Sequence, residues 1–135
     1  MGRSFDNLSG NVIAAAIEVH KRLGPGFLES IYERALCLEL SDRGIPFEAQ
    51  KSIHILYGER LVGDHMLDLL VDCKLVVELK AVKALEDIHF AQVKSYLHAT
   101  GLKVGLLMNF NSRILDTRRV VLRFEDRSGP LSAPE

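Results

Sequence analysis

Three strand-like runs follow one another in the middle of the chain, with only short turns between them. They cover residues 47–57, 61–72 and 75–82, and Gly58-Glu59-Arg60 has the composition of a hairpin turn. Short connections of this kind join antiparallel neighbours, because parallel strands need a crossover of a dozen or more residues. The three runs therefore predict an antiparallel unit against which the rest of the chain must pack.

Helical periodicity precedes and follows this unit. Apolar residues recur at spacings of three and four over residues 12–23, and Gly24-Pro25-Gly26 ends that helix. A second helix is predicted over 27–42, with an apolar stripe of four residues: Leu28, Ile31, Ala35 and Leu38. A third helix is predicted over 86–100, and Gly101 ends it.

Two further strands are predicted at 104–108 and 120–124. The first is a continuous apolar run, which is typical of a buried strand. The helix before it would be a crossover between parallel neighbours, 75–82 and 104–108. The order α-α-β-β-β-α-β-β predicts an α/β fold, a mixed β-sheet flanked by helices, in one domain over 1–127. Residues 128–135 are expected to form a flexible tail.

Composition limits the classes of partner. No apolar run approaches the roughly 20 residues that span a bilayer, so a cytoplasmic protein with no membrane partner is expected. The formal net charge of −1 does not indicate nucleic acid, although a local basic patch would be enough for an enzyme. Five C-terminal arginines either form such a patch or line a solvated strand face: Arg113, Arg118, Arg119, Arg123 and Arg127.

The turn around Cys73 brings two acidic residues together. Antiparallel pairing about this residue places 71 opposite 75 and Asp68 opposite Glu78, while Glu78 and Lys80 share a strand face. Opposed carboxylates repel each other, and an apolar neighbourhood adds a desolvation cost. A divalent cation would offset both, and oxygen ligands suit Mg²⁺ or Mn²⁺. The alternative is an ordinary solvent-exposed face that carries Asp64, Asp68 and Asp72.

Asp68 followed by Glu78-Leu79-Lys80 on the next strand resembles the signature of the PD-(D/E)XK nuclease superfamily. Leu67 stands where the signature has proline. Residues 26–32 (GFLESIY) resemble the GxxExxY family within that superfamily, and the similarity extends over most of the chain. The resemblance implies a restriction-endonuclease-like fold.

The same resemblance implies roles for individual residues. Asp68, Glu78 and Glu29 match metal ligands, Lys80 matches the active-site lysine, and Gln92 matches a catalytic helix glutamine. Tyr96 and Tyr32 follow as second-tier site residues. Without the resemblance, Glu29 would be a first-turn glutamate favoured by the helix dipole, and Tyr96 would belong to the core. The histidines show no metal-binding spacing and are interpreted as structural or surface residues, with His65 on the strand face opposite Asp68.

The implied function is a Mg²⁺- or Mn²⁺-dependent nuclease that acts on nucleic acid, with DNA preferred to RNA. Cutting both strands of a duplex calls for two active sites, so a homodimer is also expected. One alternative is a non-catalytic or weakly catalytic module on the same fold that binds nucleic acid or protein. Another is a hydrolase of a small phosphorylated molecule, but the chain has no GxxxxGK[ST] loop.

Overall fold

A computed structural model describes the chain over residues 5–122, with side chains from 7 onward. Three helices and five strands follow one another in the predicted order, which confirms the α/β fold class. They are α1 (Phe5–Leu23), α2 (Glu29–Asp42), β1 (Phe47–Tyr57), β2 (Arg60–Val71), β3 (Leu75–Lys80), α3 (Asp87–Thr100), β4 (Val104–Asn109) and β5 (Asp116–Val121).

The five strands form one mixed sheet in the order β1-β2-β3-β4-β5. β1 pairs antiparallel with β2, and β2 pairs antiparallel with β3, as the short turns predict. β3 and β4 are parallel, with Leu75 opposite Val104, and α3 is the crossover between them. β5 returns antiparallel to β4 and completes the sheet.

Helices cover both faces of the sheet. Residues of α1 and α2 pack on one face together with Val77 and Leu106. Val93 and Leu97 of α3 pack on the other face, against Val76 and Leu107. Adjacent residues of β3 and β4 thus belong to opposite clusters, as the two-residue period of a strand requires. The continuous apolar runs are explained, since both faces of these strands are buried.

The predicted apolar stripe of α2 is wrong. Leu28 is 72% and Leu38 69% exposed, and Ile31 is also exposed, while only Ala35 of the predicted set packs against the core. The buried face consists of Tyr32, Leu36 and Leu40. Apolar residues occur on both sides of this helix, so spacing alone does not decide which side meets the sheet.

Strand ends also differ from the prediction. β3 ends at Lys80 and not at residue 82, because the Val82 N–H leaves the sheet and donates to Asn109 Oδ1 at 3.0 Å. The last strand begins at Asp116 and not at residue 120. Its first four residues are polar, so the hydrophobic pattern of the sequence does not indicate where it begins. Positions 123–124, Arg127 and the tail 128–135 lie outside the described residues. Within 5–122, no helix is long and apolar enough to cross a membrane.

Candidate active site

The backbone ladder between β2 and β3 stops where the two strands part. Leu69 pairs with Val77 and Val71 with Leu75, as predicted from the turn. The next position in this register is Asp68 opposite Glu78. There the Asp68 carboxylate takes the place of a backbone carbonyl, because its Oδ2 accepts the Leu79 N–H at 2.9 Å.

The alternation of side chains along β2 is interrupted at Asp68. Leu67 packs in the α3-side cluster, whereas Leu69 packs with α1 and α2. A regular strand would place residues two apart on the same face. Opposite the interruption, on β1, Gln50 has φ 52°, a left-handed conformation that is costly for a residue with a side chain. A local irregularity of both strands therefore sets the orientation of Asp68.

Glu78 is a buried acid with an incomplete set of partners. It is only 6% exposed, and its Oε1 has no hydrogen-bond partner. Burial, followed by the negative charge of Asp68, raises the pKa of Glu78 from 4.5 to about 8. Burial also raises the pKa of Asp68. The two carboxylates therefore lie in a pocket that is short of positive charge.

Lys80 lies on the same side of β3 and joins this centre to α3. Its Nζ is 3.9 Å from Glu78 Oε2 and donates to Gln92 Oε1 at 3.4 Å. Gln92 lies on α3, which begins at a capping box between Glu86 and His89. The crossover helix thus brings a side chain from a distant part of the sequence to the lysine.

Tyr96 is one helical turn beyond Gln92 and lies close to the acids. Burial, followed by the charges of Glu78 and Asp68, raises the pKa of Tyr96 to about 12. Its hydroxyl is therefore protonated at neutral pH. The His65 ring stacks on Tyr96 with centroids 4.3 Å apart and planes at 21°. His65, which is expected on the strand face opposite Asp68, lies beside Tyr96 because the irregularity of β2 turns this residue toward α3.

Two polar residues beside the carboxylates are not predicted from the sequence. Gln50 Nε2 donates to both carboxylate oxygens of Glu33, at 2.9 and 3.0 Å, and the Gln50 side chain also hydrogen-bonds to Asp68. Burial raises the pKa of Glu33. The sequence signal that indicates Glu33 is its spacing from Glu29, because residues four apart share a helix face.

Glu29 and Tyr32 occupy different positions relative to the acids. Glu29 is exposed at the first residue of α2, and its charge makes a small contribution to the raised pKa of Glu78. Tyr32 is fully buried; its hydroxyl donates to the Gly24 carbonyl at 2.6 Å and accepts the Phe27 N–H at 3.1 Å. The Tyr32 hydroxyl thus holds the loop that precedes α2 and makes no hydrogen bond to the carboxylates of Asp68 and Glu78.

A basic patch is one of the two alternatives for the C-terminal arginines, and the two that lie on β5 do not share a face. Arg118 and Arg119 are adjacent residues of β5, so they point to opposite sides of the sheet, and Arg118 pairs with Asp116 at 2.8 Å. Arg113 is exposed in the preceding loop. Arg123 and Arg127 lie outside the described residues.

The donor set at the centre fits a hard divalent cation. Asp68 and Glu78 supply oxygens on adjacent strands. Glu78 Oε1 has no hydrogen-bond partner and the pKa of this carboxyl is raised, so a bound cation could take the place of the proton. Over residues 7–122, no group of three or more His, Cys, Asp or Glu side chains is arranged to hold a metal ion. Mg²⁺ is commonly bound through one or two carboxylates, with water and phosphate completing its shell.

Comparison with known proteins identifies the family. A model of the PD-(D/E)XK nuclease superfamily matches residues 6–121, which cover all the helices and strands described above except the first residue of α1. Searches of curated proteins and of solved structures each returned no match. The match spans most of the 135 residues, so the chain belongs to the PD-(D/E)XK nuclease superfamily.

Proposed function

We propose that the protein is a nuclease that needs Mg²⁺ or Mn²⁺ and hydrolyses phosphodiester bonds of nucleic acid, DNA in preference to RNA. The observation that carries the proposal is the unpartnered Glu78 Oε1 beside the Asp68 carboxylate, with the Lys80 ammonium next to both. Two carboxylates close together in an apolar site destabilise the fold, and such an arrangement is typical of functional sites.

The side chains divide the work of hydrolysis. A divalent cation held by Asp68 and Glu78 would supply Lewis acidity and lower the pKa of a water molecule. Lys80 carries a positive charge at the centre and can stabilise the charge that develops on the phosphate. Gln92 holds the lysine through its 3.4 Å hydrogen bond. The Tyr96 hydroxyl is protonated and can donate a hydrogen bond to a phosphate oxygen.

The proposal is tested with linear duplex DNA, circular single-stranded DNA and RNA, each incubated in Mg²⁺, Mn²⁺ or EDTA. Cleavage is expected only with metal, and Asp68→Ala and Lys80→Ala are expected to lower the rate about a hundredfold or more. Lys103→Ala and Asp42→Ala, both at exposed positions, are matched controls that should retain the rate. Circular dichroism checks that all variants are folded.

Two outcomes contradict the proposal. Unchanged cleavage by folded Lys80→Ala would remove the assigned role of this lysine. No cleavage of any polymer by folded wild-type protein with metal would instead favour a binding module on the same fold.

Assignment to the GxxExxY family is part of the proposal, and residues 26–32 support it. The Tyr32 hydroxyl donates to the Gly24 carbonyl and accepts the Phe27 N–H, so the tyrosine of this segment holds the turn that contains Gly26, whose φ is 110°. A homodimer stays a prediction from the sequence. Light scattering of the purified protein measures its mass and decides between one chain and two.

A further inference from the structure

A groove of about 1190 Å³ lies between the β1–β2 hairpin and the second half of α3. The hairpin contributes the segment from His54 to Arg60, together with Asp64 and His65. The helix contributes residues between Ser95 and Ala99. Small-molecule pockets occupy about 300–1,000 Å³, so the groove has room for an extended ligand.

The groove lies next to the carboxylate centre, although Asp68 and Glu78 do not themselves line it. His65 and Tyr96 line it, and their stacked rings form the wall nearest to the acids. The charges of Asp68 and Glu78 reach the Tyr96 hydroxyl. A chain lying in the groove would therefore contact Tyr96, whose hydroxyl is close to the carboxylates assigned above to cleavage.

The outer end of the groove presents an aromatic face beside a cation. Tyr57 is 77% exposed at the hairpin tip, although it is a large apolar ring. Its strand partner across the turn is Arg60, which is also exposed. The lining also contains two acidic residues, Glu59 and Asp64, and the Asp64 carboxylate is hydrogen-bonded to His54 at 2.6 Å. Aromatic faces along a groove with cationic groups are the elements that bind single-stranded nucleic acid.

We propose that this groove binds a short single-stranded segment next to the bond that is cleaved, with a base stacked on Tyr57 and a phosphate at Arg60. The position next to the cleaved bond rests on the proposed function. A single strand is favoured over a duplex because the base faces of a duplex are already stacked on each other and are not available to Tyr57. The groove thus specifies the form of the substrate, which the carboxylate centre alone does not.

The first test measures binding without cleavage. Fluorescein-labelled oligothymidylate and a blunt DNA hairpin are titrated with Lys80→Ala protein in Mg²⁺, and fluorescence anisotropy gives the dissociation constants. Adding Tyr57→Ala is expected to weaken oligothymidylate binding about tenfold, and Tyr57→Trp should restore it, because stacking on one base contributes on this scale. Leu38→Ala, at an exposed apolar position on α2, is the matched control and should bind like its parent.

The second test concerns the phosphate contact. Arg60→Gln is expected to reduce the slope of log affinity against log salt by about 0.7, the value for one phosphate on a single strand. An unchanged slope, equal binding of Tyr57→Ala and its parent, or tighter binding of the hairpin without dependence on Tyr57 would each overturn the inference.

The two proposals fail in different ways. If wild-type protein cleaves nucleic acid while Tyr57→Ala binds and cleaves single strands normally, the groove assignment is wrong and the nuclease stands. If no polymer is cleaved but single-strand binding depends on Tyr57, the groove assignment stands as a binding site and the nuclease is wrong.

Discussion

Replacing Glu78 by glutamine is expected to stabilise the metal-free protein at neutral pH. The carboxyl is buried, and its pKa rises from 4.5 to about 8 on folding. The folded state therefore binds the proton more tightly than the unfolded state. Proton binding by Glu78 stabilises the folded state fully below pH 4.5, and this stabilisation is lost as the pH rises through about 8. Glutamine has the same shape and never ionises.

The size of the effect follows from this shift. With a pKa of 4.5 unfolded and about 8 folded, the ionisable side chain lowers the free energy of unfolding by about 3 kcal/mol at pH 7 and about 1 kcal/mol at pH 5. For a chain of this size, about 3 kcal/mol corresponds to roughly 10 °C in Tm. Wild type and Glu78→Gln should converge near pH 4.

Urea denaturation in EDTA at pH 4, 5, 7 and 8 measures the difference between the two proteins. Glu48→Gln, at an exposed glutamate paired with Lys51, is the matched control and should follow wild type at every pH. Adding Mg²⁺ should stabilise wild type and leave Glu78→Gln nearly unchanged, because a cation that binds the folded state raises its stability by mass action. Equal stability at pH 8 in EDTA, or a gap that does not shrink at pH 5, would refute the reasoning.

Three other substitutions test the surroundings of the site. Tyr32→Phe removes the hydroxyl that bonds to the loop before α2 and should lower the free energy of unfolding by about 1–2 kcal/mol in urea. Gly105→Ala places a methyl group 2.8 Å from a side-chain carbon of α3 and should cost about 1–3 kcal/mol, whereas Gly63→Ala has nothing within 4 Å and should be nearly neutral. Gln50→Leu loses the hydrogen bond to Asp68 and should raise the Mg²⁺ concentration for half-maximal cleavage about tenfold or more. An unchanged Mg²⁺ requirement would show that Gln50 does not position Asp68.

Local signals predict the β2–β3 pairing because the connection is very short. Asp72 and Cys73 both have left-handed backbones, with φ 52° and 58°, and the turn leaves one register in which Val71 meets Leu75. The parallel β3–β4 pair is predicted for a different reason. A helix that joins two buried apolar strands acts as a crossover, and its length matches this role.

The buried face of α2 requires information that its own sequence does not contain. Its Tyr32 face and its Leu38 face both carry apolar residues, and packing against the sheet selects the first. The selection has a consequence for the site, because it places Glu33 next to Gln50. The helix that carries Glu29 therefore brings a second, more buried glutamate toward Asp68, and its role follows from the face that packs.

The position of Gln50 opposite Asp68 depends on a single extra residue in β2. Tyr57 pairs with Arg60 across the hairpin turn, and this register, extended without change, would place Gln50 opposite residue 67. A bulge between Ile55 and Leu56 shifts the register, so that Gln50 falls opposite Asp68. A shift of one residue exchanges the two faces of a strand. No periodicity in the sequence marks this bulge, which is why the hydrogen bonds of Gln50 become visible only in the structure.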